Sequence, residues 1–180
     1  MLTIKIPKGR ELFDEVNNEF ITSKAQTLQL EHSLVSLSKW ESEWCKPFLT
    51  KDVKTFEESI DYIRCMTITQ NVDPIVYRFI TNEEMDQVNR YIKAPMTATT
   101  FSNNKESINR DVITSEIIYY WMIALNIPFE CQKWHLNRLL ALINVCNIKN
   151  TPPKKMNKRD VMRRNRALNE ARRKKLGTRG

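Results

Sequence analysis

Apolar residues recur at strand spacing near the start of this chain and at helical spacing over most of the rest. Leu2, Ile4 and Ile6 alternate with Thr3 and Lys5, and Pro7-Lys8-Gly9 follows. A period of two closed by turn formers predicts a short strand and a turn. Thr27-Leu28-Gln29-Leu30-Glu31 alternates in the same way, so the two segments are expected to pair as a small antiparallel sheet. Between them, Glu11 to Phe20 carries Leu12, Phe13, Val16 and Phe20. That spacing fits an irregularly paired strand or a short helix.

From Ser33 the period changes. Ser33 is placed to cap a helix carrying Leu34, Leu37, Trp40 and Trp44, which Pro47 ends. Thr55-Phe56-Glu57-Glu58 is a capping-box pattern, in which hydroxyl and carboxylate satisfy each other's free amides. The helix behind it is expected to bury Phe56, Ile60, Ile63 and Met66. Asp73-Pro74 predicts a short helix holding Ile75, Val76 and Phe79, with Asp as cap and Pro in the first turn. Thr81-Asn82-Glu83-Glu84 opens another helix, with Met85, Val88 and Ile92, that stops before Pro95. Residues 94 to 110 are rich in Thr, Ser and Asn and read as a loop.

The richest apolar stretch runs from Thr114 to Cys146. Ile117, Trp121 and Leu125 recur every four residues, with Ile118 and Met122 beside them. Leu136, Leu139, Leu140 and Ile143 follow at three- and four-residue spacing. Asn126-Ile127-Pro128 interrupts the run. Pro128 cannot continue the first helix but suits the first turn of the next, so two packed helices joined by a tight elbow are expected. The fold class is thus mainly α, about six helices, with a small N-terminal strand element and a basic C-terminal tail.

Charge sharpens the domain boundary. The chain holds 29 Lys and Arg against 21 Asp and Glu, a net +8. Thr151 to Gly180 alone holds 12 basic and 2 acidic residues, so residues 1–150 carry the remaining 17 and 19, a net −2. The basic character belongs to a tail over 151–180, after the stiff Pro152-Pro153 break, and not to the helical domain over 1–150. The tail has too few large apolar residues for a core of its own, and Asp160 to Lys175 suits a solvated helix. Lys154, Lys155, Arg163, Arg164, Arg166, Arg172, Arg173, Lys174 and Lys175 are candidate polyanion contacts, resembling an arginine-rich segment that folds on RNA or DNA. No aromatic residue is interleaved there for base stacking, and non-specific attraction to any polyanion, an acidic partner protein included, is the blander reading.

Enzyme chemistry finds no motif. With 3 glycines the chain can hardly build a glycine-rich phosphate loop, and it lacks G-x-S-x-G and H-E-x-x-H patterns. Cys131 and His135, four apart, are the only pair resembling metal ligands or a nucleophile and its base. A structural metal site needs four ligands, and the only other histidine is His32. No metal, cofactor or catalytic activity is expected. The four cysteines, Cys45, Cys65, Cys131 and Cys146, form no C-x-x-C pair and read as reduced thiols, Cys65 and Cys146 as small core residues. No apolar run reaches the roughly 18 residues of a membrane span, and Met1 to Glu15 does not resemble a secretory signal.

Partner binding is the remaining class. Core packing is the plainer reading of each tryptophan, but Trp134, beside the elbow, is the best interface candidate. Tyr119 and Tyr120 carry aromatic surface to both sides of the helix that also holds Trp121. A helix with more apolar surface than its domain can cover points to a partner. The candidate partner-binding set is therefore Trp134, Ile127, Pro128, Phe129, Tyr119, Tyr120 and Trp121.

SLVSLSKWESEW, SIDYIRCMT and EIIYYWMIALNIPFECQKWHLNRLLALI together resemble the tail assembly chaperones of long-tailed bacteriophages, over roughly residues 27–150. Many of these close with a helix, a Leu/Ile-Pro elbow, a tryptophan and a leucine-rich helix. Here the matching residues are Asn126 to Phe129, Trp134, and Leu136 to Ile143. The resemblance implies a small helical protein of the host cytoplasm, absent from the mature virion. It would bind the long tape measure protein and recruit tail tube subunits, without an active site or membrane, and self-association is compatible with it. Two alternatives are a nucleic-acid-binding phage protein acting through the tail and a structural head–tail or tail component of the virion.

Overall fold

The computed structural model describes residues 1–14, 18–101, 112–151 and 157–177. Among these are four short strands, six α-helices and two 3-10 helices, so the chain is mainly helical with a small N-terminal strand element. The chain divides into two compact units, Met1–Asn147 and Ile148–Gly180.

In the first unit, β1 (Leu2–Ile6) and β4 (Gln26–Leu30) pair antiparallel, with Ile4 opposite Leu28. Alternation works as expected: Ile4, Ile6, Leu28 and Leu30 are buried and the residues between them face outward. The other edge of β4 is covered after the second helix, where Ile68 N donates to Gln29 O (2.8 Å) and Glu31 N to Met66 O (2.9 Å). The stretch from Glu11 is neither one strand nor a helix. It is a second antiparallel pair, β2 (Glu11–Asp14) and β3 (Glu19–Thr22). Val16 lies outside the described residues.

The capping signals each open a helix. Ser33 caps α1 (Leu34–Trp44), Thr55 caps α2 (Phe56–Met66) and Thr81 caps α3 (Asn82–Lys93), each with a reciprocal capping box. Asp73 accepts from Ile75 N at the head of a 3-10 helix, Pro74–Phe79. α4 (Ser115–Ala124) and α5 (Leu136–Asn150) follow. The sheet and α1, α2, α4 and α5 share one core, in which Leu28, Leu34, Leu37, Ile118, Met122, Leu136 and Leu139 lose all solvent contact. Burying each such side chain contributes about 1.5–3 kcal/mol. Aromatic packing fills the α1–α2 interface. Phe48 stacks on Tyr62 at 3.8 Å, and the Trp40 indole donates to Glu58 O at 2.9 Å.

Two polar clamps cross the core. Glu41 is buried and accepts from Phe48 N (2.8 Å) and Ser115 N (2.7 Å), tying α1 to the start of α4. Arg10 grips Glu84 with two bonds of 2.9 and 3.0 Å and donates a third to Phe79 O. Burial alone would raise the Glu84 carboxyl; the Arg10 guanidinium and the Thr81 amide outweigh it and hold the group below its ordinary value.

Phe56 corrects the sequence reading: it is exposed at the first position of α2, and Tyr62 takes its place in the core. Of the predicted loop over 94 to 110, residues 94–101 form no helix or strand; the rest falls outside the described residues. In the second unit, α6 (Lys158–Leu176) has no buried side chain and ends at Gly177 in the left-handed region.

Candidate partner-binding surface

The surface is built around the turn between α4 and α5. α4 ends in a Schellman motif. Asn126 takes a left-handed conformation, φ +53, which Asn tolerates better than most residues. Its N–H donates to Ile123 O (3.1 Å) and that of Ile127 to Met122 O (2.8 Å). Ile127 and Met122 are both buried, the apolar contact that accompanies this motif.

Pro128 then differs from expectation. It does not sit inside the first turn of an α-helix. Its ψ of 138 is extended, and it precedes a 3-10 helix, Phe129–Lys133. The elbow is therefore a Schellman turn followed by a 3-10 segment, with α5 starting only at Leu136. Cys131 is the inward-facing residue of that segment, and burial pushes its thiol up. The Tyr119 hydroxyl donates to Gln132 Oε1 at 2.9 Å, fastening the segment to α4.

The seven candidate residues separate into three kinds. Ile127 is buried and anchors the elbow from inside. Tyr119, Trp121 and Trp134 are half-buried against the core, and Arg138 lies 4.2 Å over the Trp134 ring. Tyr120, Phe129 and Pro128 are exposed, Tyr120 by 66% and Phe129 by 53%. Ile123, which the sequence reading passed over, is exposed by 61%. Its signal was present. Residues 117 to 123 are apolar without a break, so α4 is apolar around its whole circumference while only Ser115, Ile118 and Met122 are fully buried.

A second apolar surface was not anticipated. Phe13 and Phe20 face each other across β2 and β3 with ring centroids 5.1 Å apart, and Phe20 is exposed by 71%. Phe13 borders a cleft of about 570 Å³ whose far wall is Phe56 and Ile60 of α2.

His135 belongs to the one pair that the sequence offered for chemistry, with Cys131. Both ring nitrogens of His135 are engaged, Nε2 with Tyr91 O (3.1 Å) and Nδ1 with Asn137 N (3.3 Å). Glu43, Asp61 and Cys65 come within 4.8 Å of one another. Arg64 bridges the two carboxylates there and the Trp44 indole donates to Asp61 at 2.8 Å. Burial raises the Cys65 thiol to about 11, so it is protonated at neutral pH.

Of the polyanion candidates, Arg163, Arg164, Arg166, Arg172, Arg173, Lys174 and Lys175 are exposed on α6; Lys154 and Lys155 lie outside the described residues. No helix among the described residues is long and apolar enough to cross a membrane. Compared with protein-family models, with curated proteins and with solved structures, the chain matches none.

Proposed function

We propose that this chain is a phage tail assembly chaperone, which holds the apolar stripe of the tape measure protein and assists assembly of the tail tube. The observation that carries the reading is the set of large apolar side chains, Tyr120, Ile123 and Phe129, left in solvent beside the turn that closes α4. Folding alone gives no reason to leave these groups wet, because each exposed side chain of this size forgoes about 1.5–3 kcal/mol of burial. An amphipathic client helix, which must hide its own apolar stripe before assembly, fits such a surface.

The test is co-expression with the tape measure protein of the same genome. A chaperone keeps that protein in the soluble fraction and co-purifies with it, and mass spectrometry of purified particles does not find the chaperone. An insoluble tape measure protein, or a fixed copy number of this chain in particles, contradicts the reading; the latter outcome fits a structural tail component. A nucleic-acid-binding protein remains the second reading, favoured by the exposed arginines of α6.

A further inference from the structure

β2 keeps one edge without a neighbour. Among the described residues its sheet has two strands, β2 and β3. Ser23 N donates to Arg10 O at 2.8 Å, so the main chain of Arg10 faces β3, and by alternation so does that of Leu12 and Asp14. The N–H and C=O groups of Glu11 and Phe13 therefore point the other way, and no other backbone among the described residues pairs with them.

The cleft of about 570 Å³ lies along this open edge. Three consecutive residues of β2, Leu12, Phe13 and Asp14, border it. Successive strand side chains point to opposite faces, so a cleft touching all three runs beside the edge and not over one face. α2 forms the opposite wall with Phe56 and Ile60, and Phe56 is exposed by 64%. The result is a trough between an unpaired strand and an apolar helix face. Its free charge is acidic. Glu57 lines it, and Glu11 stands two residues from Phe13 on the same edge; neither forms an ion pair among the described residues. Arg78, a cation at the cleft, is held by Asp14 at 3.4 Å.

We infer that this cleft binds an extended, basic peptide segment of a partner, which adds to β2 as a third strand. Its apolar side chains would rest on Phe13, Phe56 and Ile60, and a lysine or arginine would meet Glu57 or Glu11. The open main-chain groups select the occupant. A helix satisfies its own main chain internally and leaves those of Glu11 and Phe13 unpaired. An extended chain offers N–H and C=O groups at the spacing a strand edge needs. β2 has 4 residues, a length of about 13 Å, so a segment of about four to six residues covers it.

The experiment is fluorescence anisotropy of the full chain with a labelled peptide of about six residues that alternates valine and lysine. The peptide should bind, and its counterpart with glutamate in place of lysine should bind at least about fivefold more weakly. Phe56→Asp should lose at least about tenfold. The strand itself is tested at Glu11, whose N–H faces the cleft and not β3. Glu11→Pro removes that donor without breaking the β2–β3 ladder, and should bind at least about fivefold more weakly than Glu11→Ala, which removes only the charge. Thermal melts check that the variants stay folded. No binding of the lysine peptide, equal binding of the glutamate peptide, or equal affinities of Glu11→Pro and Glu11→Ala would each overturn the proposal. A chain that sediments as a dimer until Phe56→Asp is introduced would put a second copy in the cleft and overturn it too. Tyr120, Ile123 and Phe129 do not border the cleft, so each outcome leaves the chaperone reading where it stands.

Discussion

His32 and His135 sit edge to face with ring centroids 5.1 Å apart, both buried, joining the end of β4 to the start of α5. The backbone reinforces the junction, since Leu136 N donates to His32 O at 2.7 Å. Tyr62 of α2 bonds His32 Nδ1 at 2.5 Å. Tyr91 of α3 offers its carbonyl to His135 and sends its hydroxyl to Glu31, which also meets the N-terminal amine at 3.1 Å. Burial, and then the neighbouring His135, lower His32 from 6.5 to about 3; burial lowers His135 as well.

A pH dependence follows from that pair. The folded state holds both rings neutral, while the unfolded chain protonates them near pH 6.5. Their contribution is therefore complete above pH 6.5 and is lost as pH falls toward the folded value. For His32 alone the loss at pH 5 is about 2 kcal/mol. Urea unfolding at pH 7 and pH 5 measures it. A stability unchanged between these two values would contradict the burial of the pair.

Glu41 is the most exacting polar residue in the core. Glu41→Ala strands the Phe48 and Ser115 amides in a dry interior and should cost about 2–4 kcal/mol. Glu41→Gln keeps one acceptor and should cost less. Chemical denaturation of both variants gives the ordering.

At the elbow, Asn126→Gly should leave stability within about 0.5 kcal/mol of the wild type, because glycine adopts the left-handed conformation freely. Asn126→Val should cost about 1–2 kcal/mol or more, since a β-branched residue resists positive φ. Thermal melts distinguish the two.

The capping residues made much of this fold readable. Ser33, Thr55, Asp73 and Thr81 announce local bonds within four residues of themselves, and such bonds are encoded where they occur. Ile4 and Leu28 declared their faces by alternation, although their pairing is long-range. Phe56 was misread because its apolar character fits a core position while its place at the helix start turns it outward. Pro128 was misread because a helix N1 proline and an extended proline before a 3-10 turn look alike in sequence. The His32–His135 contact and the cleft between Phe13 and Phe56 depend on how distant elements pack, which no local period records. On α4, unbroken apolar character signalled uncovered surface without saying which of Tyr120 or Trp121 would keep it.

The exposed apolar side chains beside the elbow and the core can be separated by substitution. Tyr120→Asp/Phe129→Asp changes two exposed positions and should shift the melting temperature by little, within about 0.5 kcal/mol per site. Ile127→Asp buries a carboxylate at the elbow and should unfold the domain. The most direct measurement of the chaperone account is the amount of tape measure protein that co-purifies with the wild-type chain and with Tyr120→Asp/Phe129→Asp, at matched melting temperature. The account predicts stoichiometric capture by the wild type and at least about a tenfold loss in the variant, a change of about 1.4 kcal/mol. Undiminished capture by a folded variant would contradict it.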